Sequence, residues 1–335
     1  MVNSNGSATT LPVTKFKKNI IVGLPTPLLR KVQLVTEDGL DRLPVYTLTF
    51  AIPDISSSSS SSCNNTDTTT ASTSTTTPMT MMVKSYHDLQ LDLGDVVKMI
   101  IPNYKPKSYS VSALRSTEFD VTYKLYPNGR ASGCLHQLKV GGGIERQIHT
   151  FVKKNSSRRH NDGGTHIGII VYGVGITEGL PVARAELERD SCCCNGGNSD
   201  NKSVVKVQQV ILIWCVRTMA DTFWQNDIQQ LLQLHPRRFQ IVYVVSREQK
   251  PPSSLLSLSV PAQENDILSI SKKTQIIYGQ RLNTQLLQEL FKSFEPYRET
   301  VRFLPVGTKE MMAMTDEMLC AIQYPMQHHS LLPKR

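Results

Sequence analysis

Three short segments carry residue types that can hold an aromatic, phosphorylated ligand. The first, Lys107 to Ser112, places a cation, a ring and hydroxyl groups together within a strand pattern. A flat ring system can lie against Tyr109 with the Ser110 hydroxyl at its edge, while Lys107 meets a phosphate. Taken alone, this segment favours the simpler interpretation, packing and surface residues in a strand.

The second segment contains a strand pattern that ends at Pro127-Asn-Gly and a helix pattern that starts near Ser132. Backbone amides at a helix start attract anions, so we expect Ser132 as cap and Arg130 beside it to form a pyrophosphate cradle. An ordinary turn before a capped helix explains the segment equally well.

The third segment is Gly173-Val-Gly-Ile-Thr-Glu-Gly, which joins the apolar strand pattern Ile167–Tyr172 to a helix pattern from Leu180. Glycines let phosphates approach the backbone, and Thr177 can cap the helix or touch the ligand. Glycine-rich turns are also common in α/β proteins that bind no nucleotide.

Two kinds of hydrophobic pattern position these segments. Short alternating strands with polar connections predict a small antiparallel barrel, and they cover residues 30–35, 44–53, 96–102 and 119–126. After residue 150, strands alternate with helices and predict a doubly wound parallel sheet. The predicted strands are 167–172, 207–216, 239–245 and 300–306, and the predicted helices are 180–188, 220–234, 283–293 and 309–322.

Length and composition restrict the class of protein. The 335 residues suggest two domains, and no apolar run approaches the roughly 20 residues of a transmembrane helix. The formal charge of +9 favours anionic partners, but no aromatic residues are interleaved with Lys and Arg as nucleic-acid binding requires. No leader is evident, so we expect a cytoplasmic location or a peripheral one at a membrane surface, and a monomer.

Cysteines and histidines give no sign of a metal centre. The seven cysteines are odd in number, which predicts reduced thiols, and the adjacent Cys192 to Cys194 lack the spacing of a metal site. His136, His149 and His160 share no ligand spacing. We therefore expect no bound metal.

Taken together and in order, these segments resemble the ferredoxin–NADP reductase superfamily, most closely its cytochrome b5 reductase branch. The family motifs R-x-Y-[ST], I-K-x-Y, G-x-x-S and G-G-T-G-I-T are similar to Lys107-Ser-Tyr-Ser, Tyr123-Lys-Leu-Tyr, Gly129-Arg-Ala-Ser and Tyr172-Gly-Val-Gly-Ile-Thr. Downstream, the Q-T-x-x-D, G-Q-G-F and C-G-P-P-x-M motifs are similar to Arg217-Thr-Met-Ala-Asp, Tyr278-Gly-Gln-Arg-Leu and Val306-Gly-Thr-Lys-Glu-Met.

The resemblance implies an all-β antiparallel flavin-binding barrel at 26–150 and an NAD(P)-binding α/β domain at 151–335, after a flexible N-terminus at 1–25. A disordered Ser/Thr-rich insertion at 56–80 interrupts the barrel. The implied FAD ligands are Lys107, Ser108, Tyr109, Ser110, Thr122, Lys124, Arg130, Ala131, Ser132 and Thr177, with Ser110 and Thr177 as catalytic residues. The implied contacts to NADH (or NADPH) are Gly173, Gly175, Arg217, Thr218, Gly307 and Met311.

The implied activity is an oxidoreductase that takes hydride from NAD(P)H into the flavin and passes single electrons to a small acidic acceptor such as cytochrome b5. The chain departs from the family at Lys107, which replaces an arginine, and at Tyr172, Val174 and Glu178 in the glycine turn. Val306, Thr308 and Lys309 also replace the Cys and prolines of the last motif. These departures leave an alternative, a degenerate, non-enzymatic flavin- or partner-binding protein on the same scaffold.

Overall fold

The fold is described from a computed structural model that covers part of the chain. The described residues are 13–16, 19–22, 24–37, 42–52, 91, 95–101, 105–141, 148–153, 164–188, 206–250 and 273–325. The predicted insertion at 56–80 and the Cys192 to Cys194 run lie outside the described residues.

The first half of the chain is antiparallel. Its strands are β1 (Val13–Phe16), β2 (Asn19–Val22), β3 (Leu24–Thr26), β4 (Leu28–Val35), β5 (Val45–Ala51), β6 (Val96–Ile100), β7 (Lys107–Leu114), β8 (Glu118–Lys124) and β9 (Ile148–Lys153), with helix α1 (Arg130–Gln137) before β9. Among the described strands, β1 pairs with β2 alone, and the others of this half form one sheet in the order β3-β9-β6-β7-β8-β5-β4. No ladder joins the edge strands β3 and β4 among the described residues, so this sheet is barrel-like without being closed.

Alternating apolar residues form the core of this sheet. Leu48, Val97 and Val121 are fully buried, and the rings of Phe50 and Phe119 stack with their centroids 5.5 Å apart. Burying a side chain of this size contributes about 1.5–3 kcal/mol relative to leaving it in water. The apolar face therefore holds β5, β6 and β8 together.

The second half of the chain forms a five-stranded parallel sheet. Its elements are β10 (His166–Tyr172), α2 (Ile176–Glu188), β11 (Gln209–Val216), α3 (Gln225–Leu234), β12 (Phe239–Val245), β13 (Thr274–Tyr278), α4 (Thr284–Leu290), β14 (Val301–Val306) and α5 (Lys309–Ala321). The strand order is β13-β12-β11-β10-β14, so the chain moves outward from β10 and then returns to its other side. Ligands of such sheets bind beyond the carboxyl ends of the strands, at the point where the order reverses. That point lies between β10 and β14.

Apolar side chains fill both faces of the parallel sheet. Trp214 and Leu231 belong to the core on one face, and Phe303 and Leu319 belong to the core on the other. Val35 of the antiparallel half belongs to the first of these cores, so the two halves share apolar contacts. This shared core holds the antiparallel half against the parallel half.

The architecture confirms the predicted fold class, and several elements differ in their bounds. The predicted helix at 220–234 is a 3-10 turn at Met219–Asp221 followed by α3, because Trp224 has a positive φ of 58° and interrupts the helix. α2 begins at Ile176, four residues earlier than predicted. β9 and β13 were not predicted, and β1 and β2 lie within the N-terminal stretch expected to be flexible.

Candidate functional site

A cleft of about 1010 Å³ lies between the two halves of the chain. Residues of β7, β8 and α1 line one side, and the carboxyl ends of β10, β11, β12 and β14 line the other. The second side is the switch point of the parallel sheet, where the topology predicts a ligand. Small-molecule sites enclose about 300–1000 Å³, so this cleft suits a ligand of dinucleotide size.

On the antiparallel side of the cleft, the first half of β7 pairs with β6 and not with β8. Val111 pairs with Val121, a bulge follows between Val111 and Ala113, and Tyr109 pairs instead with β6. Bulges bend a strand and redirect its side chains. The first half of β7 therefore separates from the end of β8, and Tyr109 and Lys124 line the resulting opening.

Tyr109 and Thr122 line this side of the cleft, where burial affects the pKa of the first and hydrogen bonds orient the second. Burial raises the pKa of Tyr109 to about 12, so its hydroxyl stays protonated at neutral pH. The Thr122 hydroxyl lies 2.8 Å from that of Thr47 and 3.2 Å from that of Ser112, and these bonds fix it within the sheet. Tyr109 thus presents a neutral aromatic surface to the cleft.

The start of α1 forms the far end of this wall. The helix begins at Arg130 with Gly129 as its N-cap, so the prediction that Ser132 caps the helix is wrong. Ser132 is in the first turn, where its hydroxyl donates to the Gly129 carbonyl and accepts from the Tyr126 amide. A Cβ on Gly129 would lie 2.3 Å from Ser132 Oγ, which explains the glycine. The first amides of α1 lack partners within the helix, so they are suited to an anion.

Lys124 faces charges from the opposite half of the chain. Burial lowers its pKa, the Asp221 carboxylate raises it, and the Arg217 guanidinium lowers it. Asp221 also accepts from the Thr218 amide and hydroxyl, each at 3.2 Å. The three charged side chains thus meet where the cleft passes from one half to the other.

The glycine turn after β10 closes tightly against β14. Residues Gly173–Gly175 form a 3-10 turn, and Gly173 has a positive φ of 54°. A Cβ on Gly175 would lie 2.8 Å from the Val306 carbonyl oxygen, so only glycine allows this approach. The Thr177 hydroxyl donates to the Val174 carbonyl at 2.9 Å, which stabilises the turn from within rather than capping a helix amide.

Tyr172 ties the glycine turn to the last helix. Its hydroxyl lies 2.7 Å from Thr315 Oγ1, and because Thr315 donates to the Met311 carbonyl, Tyr172 is the donor of this bond. Burial raises the pKa of Tyr172 to about 12. A Cβ on Gly307 would lie 3.0 Å from the Tyr172 ring, so the ring covers the turn after β14.

Ser110 and Glu178 meet across the cleft. The Ser110 hydroxyl donates to Glu178 Oε2 at 3.3 Å. Glu178 belongs to the first turn of α2, where the helix dipole favours a carboxylate. The same carboxylate repels any phosphate that approaches the glycine turn.

The structure brings the residues named from the sequence to one place. All of the predicted site residues except Thr218 line the cleft. Thr218 bonds to Asp221 instead, in the 3-10 turn after β11. What each residue does in the cleft stays a prediction.

Sequence reasoning missed several lining residues on the parallel side. Ser246 and Arg247 follow β12, and Arg281 follows β13. The rule that ligands bind at the carboxyl ends of parallel strands would have identified Ser246 and Arg247, because β12 was predicted correctly. Arg281 needed β13, a short strand at the sheet edge with an exposed Ile276.

The described part of the chain contains no group of three or more His, Cys, Asp or Glu side chains placed to hold a metal ion. None of the described helices has the length and apolar character needed to cross a bilayer.

Comparison with known proteins gives matches of sequence and of fold. Residues 169–279 match the family model described as oxidoreductase NAD-binding domain. The chain is 29% identical over 145 residues to NADH–cytochrome b5 reductase 1 of Arabidopsis thaliana, which is 42% of this chain and 44% of that protein. It is 27% identical over 131 residues to NADH-cytochrome b5 reductase 2 of Aspergillus clavatus, covering 39% of this chain and 35% of that protein. The matches thus span less than half of each relative.

Solved structures share the fold at low sequence identity. Ferredoxin-NADP+ reductase from Plasmodium falciparum aligns with a TM-score of 0.52 and 15% identity over 90% of each chain. The Amycolatopsis cytochrome P450 reductase GcoB aligns with a TM-score of 0.55 and 13% identity over 98% of this chain and 72% of that one. The CS-b5R domains of human Ncb5or align with a TM-score of 0.53 and 14% identity over 97% and 76% of the two chains.

Fold, switch-point cleft and sequence matches agree with one another, and they confirm the resemblance on which the site residues were named. Residues 169–279 are similar to the oxidoreductase NAD-binding domain family, and the chain shares the fold of a ferredoxin-NADP+ reductase.

Proposed function

We propose that this chain is an FAD-dependent oxidoreductase that takes hydride from NAD(P)H and delivers single electrons to a small acceptor protein. The observation that carries the proposal is that one cleft is lined by all of the flavin residues and all but one of the nucleotide residues named from the sequence. Its neutral aromatic wall, helix start and glycine turn match the ring and the phosphates of two dinucleotides.

The antiparallel wall would hold the flavin. Tyr109 would lie against the isoalloxazine ring, and Ser110, the next residue of the same strand, would lie beside it. Arg130 and the first amides of α1 would hold the pyrophosphate, and Lys107 adds a second cation. A bound flavin supplies the chemistry, because it accepts hydride as an electron pair and releases electrons one at a time.

The chain's own groups orient the ligands and control charge. The Ser110 hydroxyl lies between the proposed flavin site and the proposed nucleotide site, where it contacts Glu178. The hydrogen bond from Thr177 to the Val174 carbonyl stabilises the glycine turn. Buried apolar residues behind the cleft, such as Phe223, limit the access of water. Ser110 and Thr177 therefore remain the residues that we propose to touch the reacting rings.

The parallel side favours NADPH over NADH in this proposal. Arg217, Arg247 and Arg281 follow three neighbouring strands and line the cleft, and Ser246 adds a hydroxyl. Guanidinium groups bind phosphates through paired hydrogen bonds, and NADPH differs from NADH by one ribose phosphate. We place that phosphate among these arginines.

The acceptor would dock over the mouth of the cleft. Tyr126, Met311 and Met314 line the cleft with 53%, 38% and 44% of their surface exposed. Exposed apolar residues beside cations suit a small acidic partner. The net charge of +9 raises the rate at which this chain and an acidic protein meet. A cytochrome b5-type protein has this chemistry.

Spectra of the purified full chain test the proposal. We expect flavin absorbance bands, retained after gel filtration or restored by added FAD, and loss of these bands when NADPH is added without oxygen. A chain that takes up no FAD would overturn the proposal. A chain that binds FAD but keeps its absorbance unchanged with both NADPH and NADH would instead be a non-enzymatic binding protein.

A further inference from the structure

Trp214 makes a polar contact that its packing does not require. It lies in β11 beside Val171 of β10, and none of its surface is exposed. The Phe223 and Tyr243 rings surround it, with centroids 5.5 and 5.8 Å away. A phenylalanine would fill much of this space, but the indole also donates a hydrogen bond from Nε1 to the Gly173 carbonyl at 2.8 Å.

The position of this bond is informative because Gly173 opens the glycine turn. Nothing lies within 4 Å of a Cβ built on Gly173, so the glycine serves the backbone conformation, with φ of 54°, rather than a tight approach. A residue with this freedom needs an external contact to hold one carbonyl direction. Trp214 provides that contact.

The direction of one carbonyl fixes the direction of the next amide. In a trans peptide the C=O of one residue and the N–H of the next lie in a plane and point in opposite directions. Because the Gly173 carbonyl points to the buried indole, the Val174 amide points away from it, and Val174 lines the cleft.

We propose that Trp214 is a positioning residue that aims the Val174 amide at the pyrophosphate of the nicotinamide nucleotide. The proposal rests on the proposed function, since it needs the nucleotide to bind at this turn. Gly175 anchors the other end of the turn against Val306. The turn is thus held from β11 on one side and from β14 on the other.

Trp214→Phe in the FAD-loaded full chain tests the proposal, with Trp224→Phe as the control because Trp224 does not line the cleft. The measurements are the Kd for NADP+, and KM and kcat for NADPH and for dihydronicotinamide riboside, a hydride donor without phosphates. We expect Trp214→Phe to raise the Kd for NADP+ and the KM for NADPH about five- to tenfold, as the loss of one hydrogen bond predicts. We expect unchanged kcat, FAD affinity and kinetics with the riboside.

Three outcomes would overturn the proposal: unchanged NADPH kinetics, equal losses with NADPH and the riboside, or an equal effect of Trp224→Phe. If the phenylalanine variant does not fold, benzothienylalanine at position 214 keeps the bicyclic shape and removes only the N–H. A wild-type chain that binds FAD but no nucleotide would contradict the proposed function itself, and this proposal with it.

Discussion

The hydroxyl of Ser110 and the carboxylate of Glu178 join the two halves of the chain across 3.3 Å. One residue belongs to the strand that lines the flavin side, and the other belongs to the helix that follows the glycine turn. The bond therefore lies where the two proposed ligands would meet, and it places a negative charge beside the phosphates of the nucleotide.

Glu178→Gln removes this charge and keeps an oxygen that accepts from Ser110. A like charge several ångströms from a phosphate costs about 1 kcal/mol in a solvated site. We expect the KM for NADPH to fall about fivefold at low salt, and the gain to shrink at high salt. Steady-state kinetics at two ionic strengths measure it.

Glu188→Gln provides the matched control, because Glu188 is exposed at the other end of the same helix. It should leave the KM within twofold of the wild type. An unchanged KM in Glu178→Gln would show that the carboxylate does not face the nucleotide.

Lys107→Arg should strengthen FAD binding. The lysine offers one point charge on the lining of the cleft, whereas a guanidinium binds a pyrophosphate through two parallel hydrogen bonds. We expect the Kd for FAD to fall about three- to tenfold, measured by quenching of flavin fluorescence during reconstitution. Lys105→Arg, at an exposed position just before β7, should leave this Kd unchanged. Equal or weaker FAD binding by Lys107→Arg would refute the role of Lys107.

Arg247→Ala should remove the preference for NADPH. Loss of a guanidinium from a phosphate contact costs about 1.5–3 kcal/mol for a charged hydrogen bond. We therefore expect kcat/KM for NADPH to fall at least tenfold, and kcat/KM for NADH to change less than twofold. The control is Arg237→Ala, an exposed arginine before the amino end of β12. Parallel losses with both nucleotides would place the ribose phosphate elsewhere.

Two glycines should respond to alanine in opposite ways. A Cβ at position 175 would approach the Val306 carbonyl to 2.8 Å, whereas a Cβ at position 133, within α1, would meet nothing within 4 Å. Gly175→Ala should lower the free energy of unfolding by about 1–3 kcal/mol, as overpacking does. Gly133→Ala should raise it by about 0.5–1 kcal/mol through helix propensity. Urea unfolding measures both values, and a stabilised Gly175→Ala would contradict the close approach.

Pattern and spacing predicted most of the parallel half because its strands are buried on both faces. β12 was predicted with its observed bounds, and α5 ends one residue before its predicted end. β13 has exposed residues at the sheet edge, so its pattern lacks the continuous apolar run that identified β10. Edge strands carry weaker signals in sequence than central ones.

Local motifs predicted which residues line the cleft, but they did not predict contacts between residues that are far apart in the sequence. Tyr109, Arg130 and Gly175 were named from local patterns and line one cleft. The bond between Ser110 and Glu178 joins residues 68 positions apart, and no local pattern indicates it. The cap of α1 was misplaced because Ser132 has the chemistry of an N-cap, whereas its hydroxyl reaches back into the preceding turn.

Tyr172 should make stability depend on pH in alkaline solution. Burial raises its pKa from 10 to about 12, so between these values the unfolded chain loses the phenol proton while the folded chain keeps it. The stabilisation is therefore complete below pH 10 and is lost as the pH rises toward 12. Tyr172→Phe also loses the bond to Thr315, which costs about 1 kcal/mol at pH 8. We expect the wild type's advantage over the variant in unfolding free energy to fall between pH 9 and 11.5 in urea titrations and then to change sign, because the raised pKa is worth about 2–3 kcal/mol, more than the bond to Thr315. A difference that stays constant with pH would mean that the phenol is solvated in the folded chain.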